Sequence, residues 1–265
     1  MSRVKMTALV TGASGGIGEE LARLIAADGH DLVLVARSRD KLERLAAELG
    51  TKHGVAARAL PKDLARAEAP REIFDGLQGA GVSVDVLVNN AGFGTYGPFV
   101  ETDLQSELGL LQVNVTALTH LTKLFLPAMV ERRRGYVMQV ASTAAFQPGP
   151  LMAVYYASKA YVLHLSEALS NELEGTGVVV SALCPGPTET GFVAAAGMGD
   201  SKLFDLGAMG AREVAEAGYR GMLAGKTIVI PGFRNSLLAR AVGFLPRGLT
   251  TRVVRRIQER RSEKK

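Results

Sequence analysis

Tryptophan is absent from the 265 residues, cysteine occurs once, and no uninterrupted apolar run reaches bilayer length. A lone Cys184 can form no internal disulfide and cannot supply a cysteine-rich metal site; the sequence therefore points to a reducing, cytoplasmic setting and to no bound metal. Spanning a bilayer takes roughly 18–20 apolar residues. At the start of the chain Arg3 and Lys5 lead into a strand pattern rather than the apolar core of a signal peptide. Internal repeats and low-complexity segments are missing too. Net positive charge is missing from the body: of the net +5, the stretch from Gly232 onward holds ten Arg/Lys against two Glu, about +8, which leaves the rest near −3. A basic tail on a slightly acidic body argues against a nucleic-acid partner. What remains is 47% hydrophobic and 22% charged, ample for one sizeable core.

Short apolar runs alternate with helical patterns along the chain. Strands are expected at Ala8–Val10, Asp31–Ala36, Val55–Leu60, Val84–Val88, Tyr136–Val140, Val178–Leu183 and Thr227–Ile230. Helices are expected after the first glycine turn and at Asp40–Leu49, Glu68–Leu77, Leu104–Met129 (with Pro127 near its end) and Tyr155–Leu173. Helices of that length between strands imply right-handed crossovers, hence an α/β, doubly wound parallel sheet. In such a sheet ligands gather beyond the carboxyl ends of the strands. The segments to watch are Gly12–Gly18, Arg37-Ser38, Asp63-Leu64, Asn89–Gly92, Ser142 and Pro185–Thr190.

The chain is organised around Met6–Gly18, MTALVTGASGGIG. Strand, glycine turn and helix follow in that order. Missing side chains let a diphosphate approach the backbone, and the N–H groups and dipole of the helix start favour its charge. Gly12, Gly16 and Gly18 follow G-x-x-x-G-x-G spacing, with Ser14 and Ile17 inside the turn. The same stretch also fits a hydrolase nucleophile elbow, Gly12-Ala13-Ser14-Gly15-Gly16. A hydrolase needs a late histidine, and His164 is the last of four. A dinucleotide fold places a carboxylate about 20 residues beyond the glycines to hold a free ribose 2′-hydroxyl. Here Ala36 is followed by Arg37 and Ser38, which suits a 2′-phosphate and hence NADP(H), with Arg39 a second candidate cation.

Ser142 ends the fifth strand, and Tyr155 and Lys159 lie four apart on the next helix, sharing a face. A free phenol, with a pKa of about 10, is too weak an acid for neutral-pH work. An ammonium about 5 Å away supplies roughly 3 kcal/mol toward the phenolate at an effective dielectric near 20, and so draws the phenol toward the working range. Ser142 would polarise a carbonyl oxygen. Tyr156, three residues from Lys159, reads as packing.

The ordered set Thr11-Gly12-x-x-x-Gly16-x-Gly18, Asn89-Asn90-Ala91-Gly92, Asn114, Ser142, Tyr155-x-x-x-Lys159 and Pro185-Gly186 resembles the short-chain dehydrogenase/reductases over about Thr7 to Thr190. The resemblance implies a seven-stranded Rossmann-type sheet as a single domain over 1–231, with 232–265 as a basic amphipathic extension. It implies Tyr155 as acid/base, Lys159 lowering its pKa and holding the nicotinamide ribose, Ser142 orienting substrate, and Asn114 linking a water path to Lys159. Asn90, Ala91 and Gly92 would border the adenosine ribose, Asp63 with Leu64 the adenine, and Pro185, Gly186, Thr188 and Thr190 the nicotinamide end. Arg37 after an uncharged strand end is similar to the NADP-preferring branch. A homodimer or homotetramer through the Leu104–Met129 and Tyr155–Leu173 helices is implied as well.

Phe93-Gly94, Ala144–Val154 and the glycine-broken Gly191–Gly207 should line the substrate side. Phe146, Pro148, Leu151, Met152, Phe192 and Met198 suggest an apolar cleft for a hydrophobic ketone or secondary alcohol. In the tail, Pro246 separates two basic amphipathic pieces, read as covering the subunit body or an oligomer contact in preference to a membrane surface. The expected activity is NADP(H)-dependent carbonyl reduction. The rival from another class is a protein that senses NADP(H) without turnover.

Overall fold

Period-two alternation decides the layers. In the computed structural model, which describes residues 4–191, 207–243 and 245–259, strand β1 (Thr7–Thr11) turns Ala8 and Val10 to one face of a sheet and Leu9 to the other. Among the described residues, β1 is followed in chain order by β2 (Asp31–Ala36), β3 (Ala57–Pro61), β4 (Val86–Asn89), β5 (Gly135–Val140) and β6 (Val178–Leu183). Two short strands, β7 (Thr188–Glu189) and β8 (Met209–Gly210), pair with each other, and β9 (Ile228–Val229) joins the main sheet. The seven strands of that sheet are all parallel, in the order β3-β2-β1-β4-β5-β6-β9. The expected doubly wound Rossmann-type fold is present.

Helix α1 (Gly16–Ala27), α2 (Arg39–His53) and α7 (Ala211–Leu223) cover one face through Leu21, Ile25, Leu42, Leu49, Val214 and Met222. The opposite face is covered by α3 (Ala69–Gly79) and α5 (Leu118–Glu131), whose Ile73, Leu77, Leu121, Phe125 and Met129 meet Leu9, Val33, Leu87 and Val137. Between α4 (Leu104–Leu111) and α5, residues Gln112–Ala117 are π-helical. Beyond β5, α6 (Ala153–Glu172) carries the Tyr-x-x-x-Lys pair, and α8 (Phe233–Val242) and α9 (Arg247–Gln258) complete the chain on either side of Pro246.

Element ends fall within a few residues of expectation, with two substantive differences among the helices. Helix α7 lay unread, although Val214, Ala215, Gly218, Tyr219 and Met222 stand at helical spacing and are buried. The stretch Leu104–Glu131 runs on past Met129 with Pro127 inside it, and changes helical type midway. By length and composition these 28 residues could cross a membrane. Their Leu110, Leu121, Phe125 and Met129 instead pack into the protein. Within the sheet, Asn89 Nδ2 donates to Gln139 Oε1 and Thr122 Oγ1 (3.0 Å each), and Gln139 Nε2 donates to the same Thr122 oxygen (2.9 Å). This polar ladder ties β4 to β5 and α5 just below the carboxyl edge of the sheet.

Candidate active site

Strand order reverses between β1 and β4, and there the chain leaves β1 through Gly12 (φ +66°) and Gly16 (φ +58°), a backbone conformation that favours glycine. Thr11 Oγ1 accepts the N–H groups of Asn90 and Ala91 (3.0 Å each), and Asn90 Nδ2 donates to the Thr11 carbonyl (2.9 Å). A Cβ on Gly18 would sit 2.4 Å from both the Gly12 carbonyl oxygen and Asn90 Nδ2. The three segments meet only because that atom is missing.

Gly15 caps α1 without any side-chain hydrogen bond. The helix start is thus open toward a cavity of about 760 Å³ that Gly12, Ser14, Gly16 and Ile17 line. Arg37, Ser38, Asp63 and Leu64 line one end of it; Asn90, Ala91 and Gly92 border it beneath; Pro185, Gly186, Thr188 and Thr190 lie toward the other end. This cradle fits a dinucleotide: a diphosphate has open N–H groups at its centre, and the β2 end offers a cation rather than a carboxylate. Lys41, one helical turn beyond Arg37, shares the lip and was not foreseen. Arg39 does not line the cavity; it pairs with Glu43 at 3.4 Å. Asp63 caps its own turn through Ala65 N–H at 3.0 Å.

Ser142, Tyr155 and Lys159 converge on the same cavity. Ser142, whose hydroxyl donates to the Pro185 carbonyl (3.4 Å) and accepts from Ala144 N–H (3.1 Å), favours the ionised form of the nearby Tyr155 phenol, and Lys159 Nζ lies 5.8 Å from that ring's centroid while donating to the Val140 carbonyl (2.7 Å). Here the sequence-based electrostatics need correcting. Burial dominates, pushing the Tyr155 phenol up with only Ser142 pulling the other way, and it is the Lys159 ammonium that moves, down to about 8. Asn114, buried in the π-helical segment, holds Phe93 N–H (3.1 Å) with its oxygen and donates to Phe93 O (3.0 Å) and Ser158 Oγ (3.2 Å). It stands behind Gly92 and Lys159 rather than on the cavity wall.

The buried ammonium has a measurable consequence. Because Lys159 titrates near 8 when folded, the unfolded chain holds one more proton between that pH and the ordinary lysine range, and the folded state gains stability as pH rises through this window. The stability difference between the native chain and Lys159→Met should therefore move in the native chain's favour from pH 7 to pH 10, by roughly 2–3 kcal/mol in all, with the Tm difference moving the same way. Melting curves of both proteins check this; a difference that does not change with pH would contradict it.

On the substrate side, Phe93, Ala144 and Met152 line the cavity as expected, whereas Phe146, Pro148 and Leu151 do not. Phe146 packs instead near Val162 and Leu163 behind the sheet's end. Leu151 takes φ +69°, which turns the chain so that Met152 enters the cavity in its place. Phe192 and Met198, and most of the Gly191–Gly207 segment, lie outside the described residues. Two wall residues were missed. Tyr156 is no mere packing residue: it lines the cavity beside Tyr155, its phenol pushed up to about 12 by burial, and accepts a hydrogen bond from Gln258 Nε2. Gln258 is the end of α9, and its carbonyl accepts from Tyr96 Oη at 2.6 Å. The tail also reaches the Pro185-Gly186 stretch of the cavity wall, where Asn235 Nδ2 would lie 2.6 Å from any Cβ placed on Gly186. No histidine lines the cavity, which removes the partner a Ser14 nucleophile requires.

The family profile described as short chain dehydrogenase matches residues 6–200. The chain belongs to the short-chain dehydrogenase/reductase family. Among curated proteins it is similar to a very-long-chain 3-oxoacyl-CoA reductase of Phaeosphaeria nodorum, 38% identical over 185 residues, covering 66% of this chain and 53% of that one. The chain thus spans about half the length of the curated relatives it matches. Among solved structures, a short-chain dehydrogenase from Sphingobium yanoikuyae in complex with NADPH superposes with TM-score 0.83 at 34% identity, covering 92% of this chain and 94% of that one. The bulky-bulky ketone specific alcohol dehydrogenase of Comamonas testosteroni gives TM-score 0.77 at 31% identity, over 90% and 92% of the two chains.

Proposed function

We propose that this protein is a cytoplasmic NADP(H)-dependent reductase of apolar carbonyl compounds. What carries the proposal is the convergence of Ser142, Tyr155 and Lys159 on one cavity that is also lined by the glycine cradle and Arg37. When bound, the cofactor supplies a hydride to a carbonyl carbon. Gly12, Ser14, Gly16, Ile17 and Gly18 would hold its diphosphate, Arg37 and Ser38 its 2′-phosphate, and Thr188 and Thr190 its carboxamide end. Ser142 donates to the substrate oxygen and fixes it against Tyr155. Kept protonated by its burial, the Tyr155 phenol gives its proton to that oxygen as negative charge develops there. Lys159 then lies within reach of the phenolate left behind, and Asn114 is the next polar group back toward water.

An apolar wall of Phe93, Ala144, Met152 and Tyr156 suits a long or bulky ketone, and the names of the curated relatives favour a 3-oxoacyl chain among such compounds. Assembly through α4 and α6 has support in the exposed Leu104, Leu108, Leu111 and Tyr161, apolar surface of the kind a homodimer or tetramer covers. A non-catalytic sensor would have no use for a proton donor held at the cavity end.

Titration with NADPH and NADH tests the cofactor assignment. NADPH should bind more tightly than NADH, and Arg37→Ala should weaken NADPH by roughly 10–100-fold while leaving NADH unchanged, since one charge-assisted phosphate contact is lost. Equal affinities, unaffected by the substitution, would overturn it. NADPH oxidation across a panel of long-chain ketones and 3-oxoacyl thioesters tests the reaction itself.

A further inference from the structure

The two tail helices present the reverse of an ordinary surface. Helix α8 holds Ala239 inward and leaves Phe233 84% exposed, with Leu237 and Leu238 each 57% exposed. On α9, Thr250, Val254 and Gln258 are buried while Leu249 and Val253 face outward. Phe233 and Leu237 are four apart, as are Leu249 and Val253, so each helix carries an outward apolar stripe. Arg234 and Arg240 flank the first stripe and Arg252 and Arg256 the second, all exposed. Within 232–259 the only acidic residue is Glu259, which pairs with Arg255 at 3.8 Å.

We propose that this outer face of α8 and α9 docks on an anionic lipid surface. Apolar side chains set between arginines match the boundary of a bilayer, where the former enter the acyl region and the latter meet phosphates. A second copy of the chain is the poorer occupant. Two-fold pairing would lay arginine against arginine with no carboxylate to answer them. Head-to-tail packing onto the acid-rimmed patch of α4, where Leu104 and Leu108 stand near Glu101 and Asp103, would build a ring or a filament in place of the two-fold pairing commonest among soluble oligomers. A nucleic acid would meet the arginines but leave five large apolar side chains without a partner.

Docking there has a functional corollary that rests on the proposed reductase activity. Val254 packs with Met152, Tyr155 and Tyr156, and Gln258 lines the cavity, so α9 is lipid-facing on one side and substrate-facing on the other. An apolar substrate dissolved in the bilayer would reach the cavity without crossing water.

The test is co-sedimentation of the full chain with phosphatidylcholine vesicles, with and without phosphatidylglycerol, alongside sedimentation velocity and NADPH titration. The protein should bind the anionic vesicles at least about 10-fold more tightly than the neutral ones. Phe233→Ser with Leu237→Ser, and separately Arg252→Glu with Arg256→Glu, should each reduce that binding by roughly 10-fold or more while NADPH affinity stays as in the native chain. No binding to either vesicle, equal binding to both, or tail substitutions that dissociate an oligomer of a lipid-indifferent protein would each overturn the proposal. A failure to bind NADPH or to reduce any ketone would instead count against the reductase, since the vesicle measurement needs neither.

Discussion

Tyr155→Phe should lower ketone turnover by roughly 10²–10⁴-fold while NADPH affinity stays within about threefold of the native value. The expectation follows from where the hydroxyl stands. Its ring is buried in a cluster with Leu110, Met152 and Val254, and phenylalanine fills that space without a cavity. What disappears is one oxygen: the neighbour of Ser142 and the source of the proton. Lys159 keeps its bond to the Val140 carbonyl and its place on the cavity wall. Rapid-mixing measurement of NADPH oxidation, with fluorescence titration of NADPH alongside, separates the two quantities. Turnover that survives the substitution would mean another group delivers the proton, and the assignment of Tyr155 would fall.

The second large effect sits at the opposite end of the cavity. Gly18→Ala places a methyl 2.4 Å from the Gly12 backbone carbonyl, which cannot yield, and 2.4 Å from the Asn90 side-chain amide, which is tied to the Thr11 carbonyl at 2.9 Å. Either the glycine turn or the β4 end must shift, at a cost of roughly 2–3 kcal/mol, or about 5–10 °C in Tm for a chain of this size. Because the displaced atoms shape the diphosphate cradle, NADPH affinity should fall more than about 10-fold as well. Gly15→Ala, three residues earlier, is the control. A Cβ there meets nothing within 4 Å and the backbone is extended, so stability should change by less than about 1 kcal/mol. Calorimetry on the two variants decides the matter. Equal melting temperatures would show that the turn tolerates a side chain and that the close approach is not what Gly18 provides.

The sheet was legible because its strands are buried on both faces and read as continuous apolar runs, of which Asp31–Ala36 and Val178–Leu183 are the clearest. The site was legible where polar or glycine residues end those runs, since a bare connector has no need of Ser142 or of Asn89-Asn90. Other features depend on contacts between distant residues. Gln258 meets Tyr156 across 102 positions and Tyr96 across 162, and nothing local in the tail distinguishes it from its neighbours. Lys41 rather than Arg39 lines the cavity beside Arg37 because α2 begins at Arg39 and turns that side chain toward Glu43. The phenol's direction of shift was misjudged for a related reason. Proximity of Tyr155 and Lys159 can be read from their spacing, but the burial that outweighs it belongs to residues brought in from α4 and α9.

The π-helical passage from Gln112 to Ala117 makes residue count, as well as residue identity, a property of the site. A π turn carries one residue more than an α turn, and each residue advances the azimuth of an α-helix by about 100°. Shortening the passage by a single position would bring α4 and α5 into one uninterrupted spiral and swing the Asn114 carboxamide away from Phe93 and Ser158, with every side chain of the constellation still present. Homologues trimmed or padded by one residue here would carry the full motif set and yet mount it out of phase.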